Sequence, residues 1–290
     1  MIVVIGHNNP DIDTIASSIA LTYLLNQKEN KAKCVIGKGK INKEVIEMLN
    51  FLKIDVPPVW TEELIKNPTI LVDFNDKEQA AGNFNNVIKI IDHHSKTAST
   101  FPCENNNIED IGSTSTLIAI DCLSELEEID KKIATLLLIG IISDTKGFTS
   151  PQTNEIDKQM ANVLSLKAQV NIQELQNLIE EWSCFNWEEN LINEYMNEGI
   201  KVMKIKDKEF ISSVVFTKNK DDFITNKELI INHIKQLDKK NIRMLILVDI
   251  LYKQTILFHN EVLNLENPYI IEGISSRKKE IKDLVFNAII

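Results

Sequence analysis

Seven side chains that can hold a metal or move a proton punctuate the first half of the chain: His7, Asp11, Asp13, Asp73, His93, His94 and Asp144. Three of the five histidines, His7, His93 and His94, fall at the ends of short apolar runs. The run Ile88-Lys89-Ile90-Ile91 stops abruptly at Asp92-His93-His94, and Thr69-Ile70-Leu71-Val72 stops at Asp73. Asp and His are rarely placed together at a sheet rim for packing alone, whereas open α/β sheets bind their ligands outside the carboxyl ends of the strands. A single Asp at a strand end is usually a turn former or helix cap. The joint pattern differs, because as mere core polar groups these residues would cost several kcal/mol with nothing gained. Imidazole and carboxylate groups in this number exceed the needs of one divalent ion and suit two. With no thiolate in the set, manganese, cobalt or magnesium fits as well as zinc. Two ions about 3.5–4 Å apart can hold a water between them and acidify it to hydroxide near neutral pH, a nucleophile for in-line attack on phosphorus.

The elements that must position these groups follow from hydrophobic pattern. Ile2–Ile5 reads as a strand, His7–Asp13 as a polar turn, and Thr14 onward as a helix capped by Asp13 or Thr14. The octet Gly6–Asp13 therefore sits between a strand and a helix N-terminus, where free N–H groups favour anions. Further strands are expected at 32–36, 69–72 and 87–91, with helices at 42–52 and 113–126. The strongly apolar 134–142 reads as a buried helix, with a strand as the alternative, leading to Asp144. The cluster at 112–116 supplies helix caps more readily than substrate contacts. Strands alternating with helices predict an α/β fold, an N-terminal doubly wound, mainly parallel sheet. Helices at 153–165 and 172–182 lead to a hinge within Glu181–Trp187. Beyond it lies a smaller α/β unit: a helix, with or without a strand, over 189–203, strands at 210–216, 244–251 and 255–258, and a helix at 227–237. The expected domains are 1–186 and 187–290.

Composition excludes other classes. The chain has 290 residues, 43% of them hydrophobic, enough for two moderate cores. A net charge of −10 and a pI near 5.1 leave no basic face for a phosphate backbone, so no nucleic acid partner is expected. The four cysteines are widely spaced with no C-x-x-C pair, which fits buried thiols in a reducing compartment. Five apolar residues at the start are too few for a signal peptide, and 136–142 is too short to span a membrane. A cytoplasmic protein without membrane contact is the expectation. Near the end, Arg277-Lys278-Lys279 is a basic cluster suited to an anionic substrate, or an ordinary solvated run.

Taken together, His7-x-Asn9-Pro10-Asp11-x-Asp13, Leu71-Val72-Asp73, Asp92-His93-His94, Ser143-Asp144-Thr145 and Ser276-Arg277-Lys278-Lys279 resemble the DHH phosphoesterase superfamily. The nearest likeness is to its family II, manganese-dependent inorganic pyrophosphatases, and it covers nearly the whole chain. Superfamily members that cleave short oligonucleotides or cyclic dinucleotides usually carry a Gly-rich, His-containing motif in the second domain, which this chain lacks. The resemblance implies that His7 and Asp11 hold one ion, Asp13, His93 and Asp144 the other, and Asp73 bridges them. It further implies that His94 reaches the substrate, that Arg277 and Lys278 clamp phosphate, and that Lys201 is another phosphate-binding lysine. Two manganese ions per subunit (cobalt or magnesium as alternatives), pyrophosphate bound with magnesium, a site in the cleft between domains and a homodimer paired through edge strands are also implied. Other activities on the same metal box are an exopolyphosphatase or another DHH-type phosphoesterase, and the non-catalytic alternative is a metal-binding protein with reduced turnover. Two positions depart from the pattern: the usual Asp-His-Asn-Glu reads Asp73-Phe74-Asn75-Asp76, and Ile12 replaces a threonine. The loss of an imidazole at Phe74 bears on the groups that orient Asp73.

Overall fold

The structure is a computed structural model that describes residues 1–260, 262–273 and 280–289. The chain divides into two compact units, Met1–Trp182 and Ser183–Ile290, with the expected 186/187 boundary close by.

In the first unit, five short parallel strands form one sheet: β1 (Ile2–Ile5), β2 (Ala32–Val35), β3 (Thr69–Val72), β4 (Val87–Asp92) and β5 (Asn106–Ile108), ordered β2-β1-β3-β4-β5. The parallel α/β architecture expected from the alternation of strands and helices is present. This order reverses direction at β1/β3, the topological switch point where ligands bind in such sheets. Alternation along each strand sends side chains to opposite faces. Val4, Ile70, Val72 and Ile91 join the large core on one face, while Val3, Ile5, Leu71 and Ile90 face the other. The large core is built with α1 (Ile12–Gln27), α2 (Lys43–Leu52), α3 (Thr114–Glu125), α4 (Lys131–Asp144), α5 (Glu155–Ala168) and α6 (Ile172–Ser183). The other face is covered by loops and short 3₁₀ turns that bring in Trp60, Leu64, Phe84 and Phe101. The β3–β4 and β4–β5 connections carry no α-helix, so aromatic side chains seal that face instead.

The start of α1 differs from expectation, while the reading of 134–142 as a buried helix holds. α1 starts two residues earlier than the pattern indicated, because Asp11, in extended backbone, caps it by accepting from Thr14 N at 2.9 Å. Asp13 is thereby carried inside the first helical turn instead of capping it, and Ile12, 2% exposed, packs into the core. The apolar 134–142 segment is helical, as the interior of α4, and nearly every side chain along it is buried.

The second unit contains α7 (Ile192–Tyr195), β6 (Lys201–Ile205), β7 (Lys208–Thr217), α8 (Lys220–Thr225), α9 (Lys227–Leu237), β8 (Ile242–Asp249), β9 (Gln254–His259), β10 (Tyr269–Glu272) and α10 (Lys282–Ala288). Its sheet runs β10-β9-β8-β7-β6, parallel only between β7 and β8, which α9 connects. Phe223, Ile230 and Ile234 pack on one face with Leu245 and Phe258; Ile281 and Val285 pack on the other with Ile246 and Leu257.

Candidate metal centre

The carboxyl ends of β1, β3 and β4, the N-terminus of α1 and the C-terminus of α4 deliver the seven candidate groups of the first unit to one place. His7 follows β1; Asp11 and Asp13 open α1; Asp73 follows β3; His93 and His94 follow β4; Asp144 is the last residue of α4. Among the described residues, three groups have ligand atoms all within 4.8 Å of one another: His7 with Asp11 and Asp73, Asp13 with His93 and Asp144, and Asp73 with His93 and His94. His7 Nε2 lies 3.5 Å from Asp11 Oδ2 and 3.6 Å from Asp73 Oδ2. His93 Nε2 lies 3.5 Å from Asp73 Oδ1 and 3.1 Å from Asp144 Oδ2.

Asp73 belongs to two of the three groups, and the backbone is bent to put it there. Its φ is 65°, in the left-handed region that Asp tolerates better than most side chains but still at a cost. The carboxylate is then fixed by two hydroxyls: Thr14 Oγ1 donates to Oδ2 at 2.5 Å and Thr114 Oγ1 to Oδ1 at 2.9 Å. Asp13, equally buried, is held by the N-terminus of α3, where Thr114 N donates to Oδ2 at 2.7 Å and Ser115 N to Oδ1 at 2.9 Å. The anion met by that helix start is thus a carboxylate of the protein itself. The Ser113 hydroxyl caps the helix by accepting from Thr116 N.

The electrostatics report a shortage of positive charge. Burial, and then the charge of Asp144, push Asp13 up to about 6. Burial and the charges of Asp13, Asp11 and Asp144 hold Asp73 well above the usual carboxylate range. Burial would lower His93, but the neighbouring Asp144 and Asp13 outweigh it and push the imidazole up to about 9. The same competition, won by Asp11, raises His7, while Asp11 itself is lowered to about 2 because the His7 contact outweighs its burial. A cluster in which carboxylates bind protons and imidazoles cannot release them is one where protons stand in for cations.

The donor set fits divalent metal on one further observation. His93 Nδ1 lies 3.0 Å from the Ile111 carbonyl, which only an N–H can satisfy, so the unprotonated neutral ring points its Nε2 lone pair at Asp73 and Asp144. That Nε2 is buried and makes no aligned hydrogen bond to either carboxylate. A backbone carbonyl behind the ring and a lone pair facing carboxylates is the arrangement of a metal-ligating histidine. His94 differs: its Nδ1 is 2.9 Å from Asp92 Oδ1 and 3.9 Å from Asp73 Oδ1, so Asp92 already occupies the nitrogen nearest the cluster. Its side chain is 46% exposed.

Lys201 opens β6, exposed at the edge of the second unit's sheet. Arg277 and Lys278 lie outside the described residues. Sequence reading missed Thr14, Thr114, the N–H groups of Thr114 and Ser115, and Asn75. The hydroxyl-rich run after Gly112 was the signal for Thr114 and Ser115.

Residues 1–141 match the DHH family, N-terminal domain. That match spans β1 to α4 of the first unit and so takes in all seven candidate groups except Asp144. Across 97% of this chain and 96% of the relative, it is 28% identical to a protein of Clostridium acetobutylicum named as a probable manganese-dependent inorganic pyrophosphatase. A Streptococcus thermophilus protein of the same name is 34% identical over 60% of this chain and 57% of its own. Among solved structures, a Methanococcus jannaschii protein assigned to the family II inorganic pyrophosphatases superposes with a TM-score of 0.68 at 27% identity, covering 100% of this chain and 99% of that one. An exopolyphosphatase-related protein of Bacteroides fragilis shares the fold, with a TM-score of 0.56 at 18% identity over 99% of this chain and 90% of the other.

Proposed function

We propose that this protein hydrolyses inorganic pyrophosphate to two phosphates at a centre of two manganese ions. The observation that carries the reading is His93, backed by a carbonyl and aiming an unpartnered buried nitrogen at Asp73 and Asp144. Relatives named as manganese-dependent pyrophosphatases, aligned over nearly the full chain, support the choice of metal and substrate. In this reading His7 and Asp11 hold one ion, Asp13, His93 and Asp144 the other, and Asp73 is shared. Cobalt or magnesium would serve as replacements. Bound metal would supply Lewis acidity toward the phosphoryl oxygens and acidify water at neutral pH.

The protein's own groups do the rest. Thr14, Thr114 and the α3 N-terminus hold Asp73 and Asp13 so that their oxygens need no reorientation on binding metal. His94, half exposed and tied back to Asp92 at Nδ1, leaves Nε2 as the ring atom that meets the substrate. Lys201, Arg277 and Lys278 are assigned to neutralising phosphate charge, which matters most as the leaving phosphate gains charge. Magnesium accompanies pyrophosphate as part of the substrate. The 1–186 segment is the metal-binding catalytic domain, and 187–290 the substrate-binding one. The protein is a cytoplasmic homodimer paired through an edge strand of the first sheet, β5 being one such edge. No helix among the described residues is long and apolar enough to cross a membrane.

The test is phosphate release from pyrophosphate by chelator-stripped protein reloaded separately with manganese, cobalt, magnesium and zinc. Short polyphosphate and a dinucleotide serve as competing substrates. Pyrophosphate is expected to be turned over fastest, with manganese. Asp13→Ala and His93→Ala are expected to abolish turnover with circular dichroism unchanged, and Lys278→Ala to raise KM. Faster cleavage of polyphosphate or dinucleotide, or tight manganese binding with no hydrolysis, would replace this reading.

A further inference from the structure

The motif that departs from the family pattern, Asp73-Phe74-Asn75-Asp76, contains a polar residue with no place in the metal set. Asn75 is 1% exposed, and both hydrogens and the oxygen of its amide are hydrogen-bonded. Its Nδ2 donates to Asp92 Oδ2 at 2.6 Å and to the His94 carbonyl at 3.0 Å, while its Oδ1 accepts from Thr100 Oγ1 at 2.7 Å. Asp92 is fully buried and turns its other oxygen to His94, accepting from the backbone N at 3.0 Å and lying 2.9 Å from the ring Nδ1. Facing a carboxylate, Nδ1 carries a hydrogen, so in the neutral ring the lone pair is confined to Nε2.

We infer that Asn75 is a positioning residue for the reaction: acting through Asp92, it fixes the tautomer and the direction of the His94 ring. Three features support a built device over a fold brace. Asn75 holds both the carboxylate that grips the ring and the carbonyl of the same histidine, so it fixes the ring's anchor and its backbone together. Asp92 and the His94 carbonyl lock the amide's orientation, since a flipped amide would set its oxygen against two groups that can only accept. The His94 side chain is 46% exposed, its ring edge-on to His93 at 4.2 Å, and a ring of that exposure needs a hydrogen-bonded partner to keep one orientation. Asn75 touches neither substrate nor metal in this account. The inference rests on the reading of His94 as the substrate-facing imidazole.

The test is a double-mutant cycle of Asn75→Ala and His94→Ala, using manganese-loaded protein and pyrophosphate. Asn75→Ala is expected to lower kcat about tenfold, the usual scale for a group that orients an active-site side chain. In the His94→Ala background it should add no further loss. An equal loss in both backgrounds would overturn the inference, because a fold brace acts whether or not the ring is present. Thr100→Val, which removes the hydroxyl that donates to Asn75 Oδ1, repeats the cycle if Asn75→Ala fails to fold, with a smaller effect of the same pattern. A readout independent of turnover is the long-range proton–nitrogen spectrum of histidine-labelled, magnesium-loaded protein at a pH where His94 is neutral, with His94→Ala assigning the signal. The parent protein should show His94 as the Nδ1–H tautomer, and Asn75→Ala a mixture or the Nε2–H form. An unchanged spectrum would overturn the inference. If the parent protein hydrolyses no pyrophosphate, the proposed function fails, and the spectrum alone decides whether Asn75 positions the ring.

Discussion

Phe74 follows Asp73 in the chain and turns away from it. The left-handed φ of 65° at Asp73 reverses the backbone, so the carboxylate meets Thr14 and Thr114 while the phenyl ring enters the opposite face of the sheet. There it is fully buried with Val3, Ile5, Trp60, Leu71 and Ile90, its ring edge-on to Phe101 at 6.3 Å. The missing imidazole therefore removes nothing that touches the ligand cluster in this chain. Phe74→His should not raise kcat. It places a polar ring in an apolar layer, at a cost of about 1–3 kcal/mol if unpaired, which thermal melting would detect as a lower Tm. A kcat gain with unchanged Tm would mean that the ring turns toward Asp73. The type of residue 74 excluded a ligand role from sequence, but where the side chain went depended on one backbone angle that no side-chain pattern encodes.

The helices act here as holders of carboxylates. The N-terminus of α3 grips Asp13, and that helix start is itself held by Asp157 at the beginning of α5. Asp157, fully buried, accepts from Gly112 N at 3.0 Å, Thr116 Oγ1 at 2.6 Å and Asn154 N at 2.9 Å, the last as part of a capping box. The approach is close enough that a Cβ on Gly112 would lie 2.5 Å from Asp157 Oδ2. Asp157→Ala strands these donors at a cost of about 2–4 kcal/mol, and it loosens the N–H groups that hold Asp13. The expected result is a Tm lower by about 5–10 °C and manganese affinity weakened about tenfold by calorimetry. Loss of stability with unchanged affinity would show that α3 holds Asp13 without help from α5. The helices themselves were legible from apolar periodicity to within a few residues. The grip was not, because it joins residues about 100 and 45 positions apart in the chain.

At the scale of the molecule, the buried cluster links stability to pH and to metal. Asp13 is raised from the ordinary carboxylate range to about 6 and His93 from the ordinary imidazole range to about 9. Both bind protons more tightly folded than unfolded, so their contribution to stability is complete at low pH. It is lost as pH rises, through about 6 for Asp13 and about 9 for His93. Asp11, lowered to about 2, acts oppositely, its contribution lost only as pH falls through that value. Chelator-stripped protein should therefore lose Tm between pH 5 and pH 9, measured by calorimetry. Manganese should reverse that slope, since metal replaces the protons and its affinity rises with pH. A metal-free Tm independent of pH over this range would mean that these groups are not buried together.

Sequence alone determined the placement of ligand-type residues at the ends of β-branched runs, because a strand must stop where charged groups gather, and that rule is local. Asp73 after 69–72 and His93 after 87–91 were legible on that ground. So was Asp144 at the end of an apolar helix. Only the tertiary structure decided that β1, β3 and β4 lie side by side, since the order β2-β1-β3-β4-β5 is a matter of long-range pairing. The short strand β5 passed unnoticed for the same reason: Asn106-Asn107-Ile108 has too few apolar residues to signal a strand and is one because β4 offers it a parallel partner. The hydroxyls and amides that aim the carboxylates came from distant segments. A chain's pattern records what each segment buries, whereas the partner of a buried polar group is chosen by the packing of all of them together.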